Sequence, residues 1–222
     1  PERAATGPRR ARPRSEVAPP SSSARRGLAI RVAAIVAAAG LAYVLLVPTR
    51  SPGAIAPAAL RAAGAAGCGD VTHPAAEAPG GLHLRPGQDH TYDQHPASSG
   101  YHDPSPLPPD PHVYTRPVRE PRAVHNLEHA YVLIYHRDLA PEAMDALAAF
   151  ARDEARVIMA PYPGLPSGTG LALVAWNTLW ECPPSTTADQ AVAIARGFVD
   201  AYRGTSVAPE APRGLLGRFL QR

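Results

Sequence analysis

The sequence predicts an α+β domain: a small, largely antiparallel sheet with two helices on one face and a long Pro/His-rich loop region, preceded by one transmembrane helix. Three observations support this prediction. Short apolar runs alternate with two amphipathic segments in residues 131–204, 27 prolines and 18 glycines lie among 222 residues, and one long apolar stretch lies near the N-terminus.

The first two predicted strands flank the first predicted helix. Tyr131–Tyr135, "YVLIY", is a continuous apolar run typical of a buried strand. Residues 141–155 begin with a proline and place their apolar side chains on one face, which predicts a helix. Residues 156–160, "RVIMA", fit a second short strand.

A third strand and a second helix complete the predicted core. Residues 171–176, "LALVAW", form the strand candidate. Thr187 and Gln190 have the spacing of a capping box, an apolar stripe continues to Tyr202, and Gly204 ends the helix. The order strand, helix, strand, strand, helix predicts helices packed on one face of the sheet.

The remaining segments divide the chain further. Residues 68–208 form the predicted domain outside the cytoplasm, and residues 68–121 contain many Pro, His, Asp and Gly, which predicts loops wrapped on a core. Residues 113–118, "VYTRPV", fit a short strand within them. We expect residues 48–67 to be a linker and residues 209–222 to be a C-terminal tail.

Leu28–Val47 is a predicted membrane helix. The stretch has one charge, Arg31, and at 1.5 Å per residue it spans roughly 30 Å, the thickness of the hydrocarbon core. A cleaved signal peptide is the alternative, but the stretch and the basic segment before it are long for one. The lipid bilayer is therefore a predicted partner of this protein.

The charge distribution predicts the orientation in the plasma membrane. Residues 1–31 carry eight Arg and two Glu, a net charge of +6, whereas the rest of the chain carries 14 Arg and 17 acidic residues, a net charge of −3. The positive-inside rule then places the N-terminus in the cytoplasm and the main domain outside. Residues 1–27 lack apolar periodicity and are predicted to be a disordered cytoplasmic tail.

The same distribution argues against a nucleic-acid binder. Such a protein carries its positive charge on the folded domain, where a surface follows the phosphates. Here the positive charge lies in the tail, so we expect no nucleic-acid partner.

The two cysteines, Cys68 and Cys182, are expected to form a disulfide. An oxidising compartment outside the membrane favours a disulfide over metal ligation by thiolates. The sequence "AAGC" at Cys68 also fits a lipid-modified cysteine, but it lies far beyond the apolar stretch.

Histidines mark the candidate site. Eight of the nine lie between positions 73 and 129, and neutral imidazole suits Zn²⁺ or Cu²⁺. In "HNLEH", His125 and His129 are four residues apart and share one face of a helical turn, a spacing that lets both reach one ion. Glu128 lies beside them as a ligand, a partner of a ligand, or a base.

Two other interpretations of "HNLEH" remain. The spacing also matches the HxxEH pattern of inverted zinc peptidases, in which the glutamate activates a metal-bound water. A strand directly after the motif and the small size of the domain argue against a peptidase. Alternatively, the histidines are structural and hydrogen-bond loop carbonyls, while Glu128 pairs with Arg119 or Arg122.

A second cluster, "HTYDQHPASSGYH", supports the metal hypothesis. It places His90, His95 and His102 near Tyr92 and Tyr101 on a loop with turn-forming Pro and Gly. Because a loop can fold back on the core, its imidazoles are able to converge with those of "HNLEH". We single out His102 as the candidate ligand of this cluster.

These motifs, with "PYPG", "LALVAW" and "FVDAYRG…APE", resemble an uncharacterised bacterial, often actinobacterial, family of membrane-anchored ectodomains, domain-of-unknown-function family 3105. Its pattern includes PPTSGPH and HxLEHG, and the resemblance spans Cys68 to Glu210. It implies a site at His102, His125 and His129 with Glu128, and it implies no particular reaction.

The chain departs from that family pattern at four positions. Ala97 and Tyr101 stand where the family has proline, and Ala130 and Asn177 stand where it has glycine. If those glycines serve a positive φ, the local backbone geometry is expected to differ here.

Together these observations predict one divalent metal, copper or zinc, bound by His102, His125 and His129 with Glu128 adjacent. Three tyrosines are expected to line the site: Tyr92, Tyr101 and Tyr131. We favour metal handling over catalysis, because no complete set of catalytic partners is apparent. The alternative is a non-catalytic cell-envelope domain with structural histidines that binds a protein or cell-wall partner.

Overall fold

A computed structural model describes residues 34–36, 38 and 50–212 of the chain. The chain divides into two compact units, and the second, Leu45–Arg222, contains the sheet. The predicted tail, residues 1–27, lies outside the described residues, as do residues 213–222. Of the predicted membrane helix only residues 34–36 and 38 are described, and they are helical. Within these described ranges no helix is both long and apolar enough to cross a bilayer.

Four short strands form one sheet in the order β2-β1-β3-β4. They are β1 Val132–His136, β2 Val157–Pro161, β3 Leu171–Ala175 and β4 Thr178–Cys182. The β1–β3 and β3–β4 pairs are antiparallel, and β1 pairs with β2 in parallel. The predicted α+β class is therefore confirmed, and the sheet is mixed.

Beyond residue 50 the described chain forms four helices: α1 Pro57–Ala66, α2 Glu120–Glu128, α3 Pro141–Asp153 and α4 Ala188–Tyr202. Helix α3 joins the parallel strands β1 and β2, because parallel neighbours require a crossover connection. Helix α4 begins with the predicted capping box of Thr187 and Gln190. Residues 67–119 contain no named helix or strand, in agreement with the predicted loop region.

Helices α1, α3 and α4 cover one face of the sheet. Strand side chains such as Ile134, Leu173 and Trp180 pack there with Leu147 of α3 and Phe198 of α4. We predicted two helices on this face, and the structure has a third, α1, within the segment predicted to be a linker. Its alanines lack a strong apolar signal.

Small residues bring α1 close to α4. A Cβ atom on Gly197 would clash with Ala59, so the two helices touch almost at the backbone. Such close packing depends on the absence of side chains and not on a large apolar stripe, which explains why the sequence pattern did not mark α1 as a core helix.

Helix α2 and the long loops cover the other face. Strand residues Leu133 and Tyr135 pack there against Val124 and Leu127 of α2. Covering on both sides accounts for the continuous apolar runs of β1 and β3, because neither face meets water. The C-terminal end of α2 carries the "HNLEH" motif at the edge of this second layer.

Two strand assignments differ from the sequence prediction. Residues 113–118 form no strand, and only Val113 bridges to Met159. Strand β4 was not predicted, because Glu181 and Cys182 interrupt its apolar pattern. The turn before it places Asn177 at φ 51°, a left-handed conformation that asparagine tolerates.

The disulfide between Cys68 and Cys182 is present, and its two cysteines have a sequence separation of 114. It ties the start of the loop region to the end of β4. The prediction from the two cysteines is confirmed.

Replacing both cysteines by serine should lower the free energy of unfolding by roughly 4–5 kcal/mol, because the unfolded chain regains the entropy of a long closed loop. Urea denaturation followed by tryptophan fluorescence measures the change, and reduced wild-type protein is the control. A loss below about 1 kcal/mol would contradict this account of the bridge.

Candidate metal centre

Backbone pairing brings His83 to His102. The Leu84 amide donates a hydrogen bond to the carbonyl oxygen of His102 at 2.7 Å, and the His102 amide donates to the carbonyl oxygen of Leu82 at 3.2 Å. This short parallel bridge places the two histidines side by side, although they are 19 positions apart in the sequence.

Helix α2 then receives the loop that carries His102. The Asn126 side chain binds the backbone of Leu107 twice: its Oδ1 accepts from the amide at 2.8 Å and its Nδ2 donates to the carbonyl at 3.1 Å. The Asp103 amide donates to the Pro121 carbonyl at 3.1 Å. The loop therefore folds back along α2, as the metal hypothesis requires.

Three imidazoles converge at this point. His83, His102 and His125 each offer one ligand atom, and these atoms lie within 4.8 Å of one another. The ring centroids of His102 and His125 are 5.0 Å apart, and that of His83 is 4.8 Å from His102 and 5.3 Å from His125. His102 and His125 are buried and His83 is exposed.

Backbone carbonyls fix the orientation of the two buried rings. The Nδ1–H of His102 donates to the Gly100 carbonyl at 2.9 Å, and the Nδ1–H of His125 donates to the Asp103 carbonyl at 2.6 Å. A carbonyl oxygen only accepts, so the proton lies on Nδ1 in both rings. Their Nε2 atoms face Glu128 Oε2 and His129 Nε2, and Nε2 is the atom through which a histidine held at Nδ1 usually binds a metal.

Glu128 is buried next to His102. Its Oε2 lies 2.9 Å from His102 Nε2, and its Oε1 accepts a hydrogen bond from the Gly81 amide. His102 Nε2 is itself buried, and the Glu128 carboxylate is its partner at this distance. The two side chains therefore form a buried, charge-assisted contact within the cluster.

The pair shifts both ionisation equilibria. Burial lowers the pKa of His102, but its contacts with Glu128 and Gly100 outweigh burial, so the net pKa shift is upward. Burial raises the pKa of Glu128, but His102 and the Gly81 amide outweigh it, so the net pKa shift is downward. Both shifts favour the charged pair in the metal-free protein.

Two distant segments close over Glu128. A Cβ atom on Gly80 would lie 2.7 Å from Glu128 Oε1, so only glycine allows the backbone to approach this closely. From the other end of the domain, the Glu210 amide donates to the Glu128 carbonyl at 3.0 Å. These contacts shield the carboxylate from water.

His129 lies outside the group of three but contacts it. Its Nε2 is 2.8 Å from His125 Nε2, the two rings stack at 4.8 Å, and its Nδ1 lies 3.4 Å from Glu210 Oε2. Burial, together with the neighbouring charges of His129 and His102, lowers the pKa of His125 despite its bond to Asp103. His125 is therefore a neutral imidazole near pH 7.

The structure brings together most of the predicted site. His102 and His125 converge, Glu128 lies against His102, and His129 lies against His125. The additional residue is His83, which sequence reasoning missed. No spacing marks His83, because its approach depends on the backbone bridge to residue 102.

The predicted tyrosines have other ring contacts. Tyr92 and Tyr101 pack around His90 at 4.7 and 5.6 Å, and the guanidinium of Arg156 lies 5.8 Å from the ring of Tyr131. Their place beside a metal stays a prediction.

The alternative partners suggested for Glu128 are wrong. Arg119 binds Asp103 at 3.0 Å, and Arg122 donates to the carbonyls of Ser105 and Pro106. The arginines thus hold the loop, and the charge facing Glu128 comes from His102.

The fold and this cluster define an α+β domain with imidazoles gathered at the end of one helix. A family model described as "Protein of unknown function (DUF3105)" matches residues 83–214, more than half of the chain, and the protein belongs to this family. No curated protein and no solved structure matches the chain. The matched segment starts at His83 and contains every residue of the cluster.

The two residues for which the resemblance implied glycine, Ala130 and Asn177, have φ 64° and φ 51°, in the left-handed region. Whether the local backbone differs from that of the family stays a prediction.

The charged pair predicts a pH-dependent stability of the metal-free protein. Because its pKa is raised, His102 stabilises the folded protein fully at pH values below its ordinary pKa of 6.5. This contribution is lost as the pH rises through the pKa of His102 in the folded protein. Glu128, with a lowered pKa, contributes above its ordinary pKa of 4.5 and loses this as pH falls through its folded value. The pair should contribute most between these two ordinary values.

Urea denaturation of chelator-treated wild type and Glu128→Gln tests this expectation. The difference in free energy of unfolding between the two proteins should be larger at a pH midway between those two ordinary pKa values. It should be smaller at a pH about two units above the ordinary pKa of His102. An equal difference at both pH values would mean that the two side chains are not charged partners.

Proposed function

We propose that this protein is a single-pass plasma-membrane protein whose domain outside the membrane binds one divalent metal, copper or zinc, through clustered histidines. The convergence of His83, His102 and His125 within 4.8 Å carries the proposal. Two of these side chains are buried, and both direct their Nε2 atoms away from the carbonyls that hold Nδ1.

The buried carboxylate next to His102 supports a cation at this point. A metal ion on His102 Nε2 would replace the proton that makes His102 the charged partner of Glu128, 2.9 Å away. Glu128 adds a buried negative charge that offsets part of the charge of a divalent cation.

One pair of ring nitrogens has nearly the separation of two imidazole ligands of one ion. The ligand atoms of His83, His102 and His125, which lie within 4.8 Å of one another, would have to move closer together to share an ion. Two nitrogens bound at about 2.0–2.1 Å to the same metal lie about 2.9–3.4 Å apart for right-angled to tetrahedral geometry. His125 and His129 already have their Nε2 atoms 2.8 Å apart. We assign His102 and His125 as the two buried ligands, with His83 and His129 completing the set from the exposed side.

Softer metal chemistry lacks ligands here. Both cysteines are used in the disulfide, and Met144 and Met159 pack in the core on the opposite face of the sheet. A set of imidazoles and a carboxylate suits Cu²⁺ or Zn²⁺ rather than Cu⁺.

Metal handling fits the cluster better than hydrolysis. A glutamate that serves as a base needs a free oxygen next to the attacking water. Both oxygens of Glu128 are engaged, one by the Gly81 amide and one by His102, and the side chain is buried. This arrangement gives no support to the HxxEH hydrolase alternative.

A non-catalytic cell-envelope interaction domain is the second candidate. It is supported by the hydrogen bonds of His102 and His125 to the loop carbonyls of Gly100 and Asp103, the kind of contact that structural histidines are expected to make. The other nitrogens of these rings contact Glu128 and His129. In that role the same contacts would order the loops, and a surface of the domain would bind a protein or cell-wall partner.

The location is proposed from the sequence together with the disulfide. Leu28–Val47 has the length and apolarity of a membrane anchor, and the arginines before it favour a cytoplasmic N-terminus. The Cys68–Cys182 bridge suits an oxidising compartment outside the membrane.

Metal content tests the proposal directly. The full chain in detergent, loaded with Cu²⁺ or Zn²⁺ and desalted, should retain one ion, and His102→Ala/His125→Ala should retain none because both buried ligands are gone. Elemental analysis measures the ratio of metal to protein.

The matched control is His73→Ala/His95→Ala, which removes two exposed histidines outside the cluster. It should retain the ion. Equal metal content in wild type and in the cluster variant, with both proteins folded by circular dichroism, would leave the interaction domain as the better description.

A further inference from the structure

The histidine cluster has a closed side and an open side. The side chain of His102 is fully buried and His125 is 6% exposed, whereas His83 is exposed and the side chain of His129 is 37% exposed. An ion held by the two buried rings would therefore face solvent only past His83 and His129.

His83 is held less firmly than the buried rings. Within residues 50–212 its side chain makes no hydrogen bond, and its ring contacts are an edge contact with His102 and stacking on His125. Such ring contacts contribute about 0.5–1.5 kcal/mol each, and they fix no tautomer. Rotation of the His83 side chain toward solvent breaks no hydrogen bond in the described structure.

We propose, on the basis of the metal-binding function above, that His83 is the exchangeable ligand through which the ion passes to a histidine-bearing partner. One metal–nitrogen bond, to His83, breaks, and one to the incoming imidazole forms. Both donors are neutral, so the exchange moves no electron and no net charge. His102 and His125 hold the ion meanwhile.

The charge at the rim selects a neutral donor. Glu128 lies beneath the cluster, and Glu210, 53% exposed, lies 3.4 Å from His129 Nδ1 at its open side. These carboxylates offset the positive charge of a bound divalent ion, so an incoming carboxylate or thiolate gains little attraction to the site. A neutral imidazole does not depend on that attraction and is a strong ligand of Cu²⁺.

Copper transfer to free histidine tests the proposal. The Cu²⁺-loaded full chain is mixed with excess histidine, and loss of its visible absorption is followed by stopped flow. His83→Ala should retain one copper per chain yet release it about tenfold faster, since an exchangeable ligand worth about 1.4 kcal/mol is missing. The His83→Gln variant repeats the test with a polar side chain at this position, in case His83→Ala does not fold. The His73→Ala variant should release copper at the wild-type rate.

The other outcomes overturn the proposal. Loss of the bound copper from His83→Ala would make His83 a holding ligand, and an unchanged release rate would show that it is no ligand at all. Faster release from His129→Ala, with no faster release from His83→Ala, would show that His129 and not His83 is the exchangeable ligand. If wild type itself retains no copper, the metal-binding function fails first, and elemental analysis distinguishes that result before any rate is measured.

Azide, added in place of histidine, tests the selection by charge. In titrations followed by absorption, the copper-loaded protein should bind imidazole with a lower dissociation constant than azide. Tighter binding of azide would contradict the role given to Glu128 and Glu210.

Discussion

The buried contact between His102 and Glu128 is the constraint on which the site depends. Leaving either charge alone in the interior would cost about 3–5 kcal/mol, so each side chain requires an oppositely charged partner. A divalent cation can take the place of protonated His102 as the positive partner of Glu128. The loop containing His102 and the end of α2 are therefore held together by the same groups that would hold the ion.

The fold supplies the support for that contact. Apolar residues of α2 anchor it to the sheet, and Asn126 holds the loop along it. The segment around Gly80 and the segment at Glu210 then close over the carboxylate. Three stretches of chain thus reach α2 by hydrogen bonds: the Gly81 amide bonds the Glu128 carboxylate, the Asp103 amide bonds the Pro121 carbonyl, and the Glu210 amide bonds the Glu128 carbonyl.

The sequence predicted those parts that depend on local pattern. The apolar run at Tyr131–Tyr135 and the capping box at Thr187 are local, and the structure has a strand and a helix there. The site prediction was partly local as well, because four-residue spacing placed His125 and His129 on one face. The choice of His102 rested on a motif and on a family resemblance.

The parts that were missed depend on contacts between distant residues. Helix α1 packs through alanine and glycine, β4 carries polar residues on a covered sheet, and His83 reaches the cluster through one backbone bridge. None of these leaves a periodic apolar or spacing signal. The opposite error was the strand predicted at residues 113–118. These residues have β propensity, but only Val113 pairs with a neighbouring strand, through its bridge to Met159.

Long-range proton–nitrogen NMR spectra of the imidazoles, recorded without and with Zn²⁺, test the central claim most directly. The account predicts that His102 and His125 coordinate through Nε2 while their Nδ1 atoms stay protonated on the carbonyls of Gly100 and Asp103. Coordination through Nδ1, or spectra of these two rings that do not change when zinc is added, would contradict it.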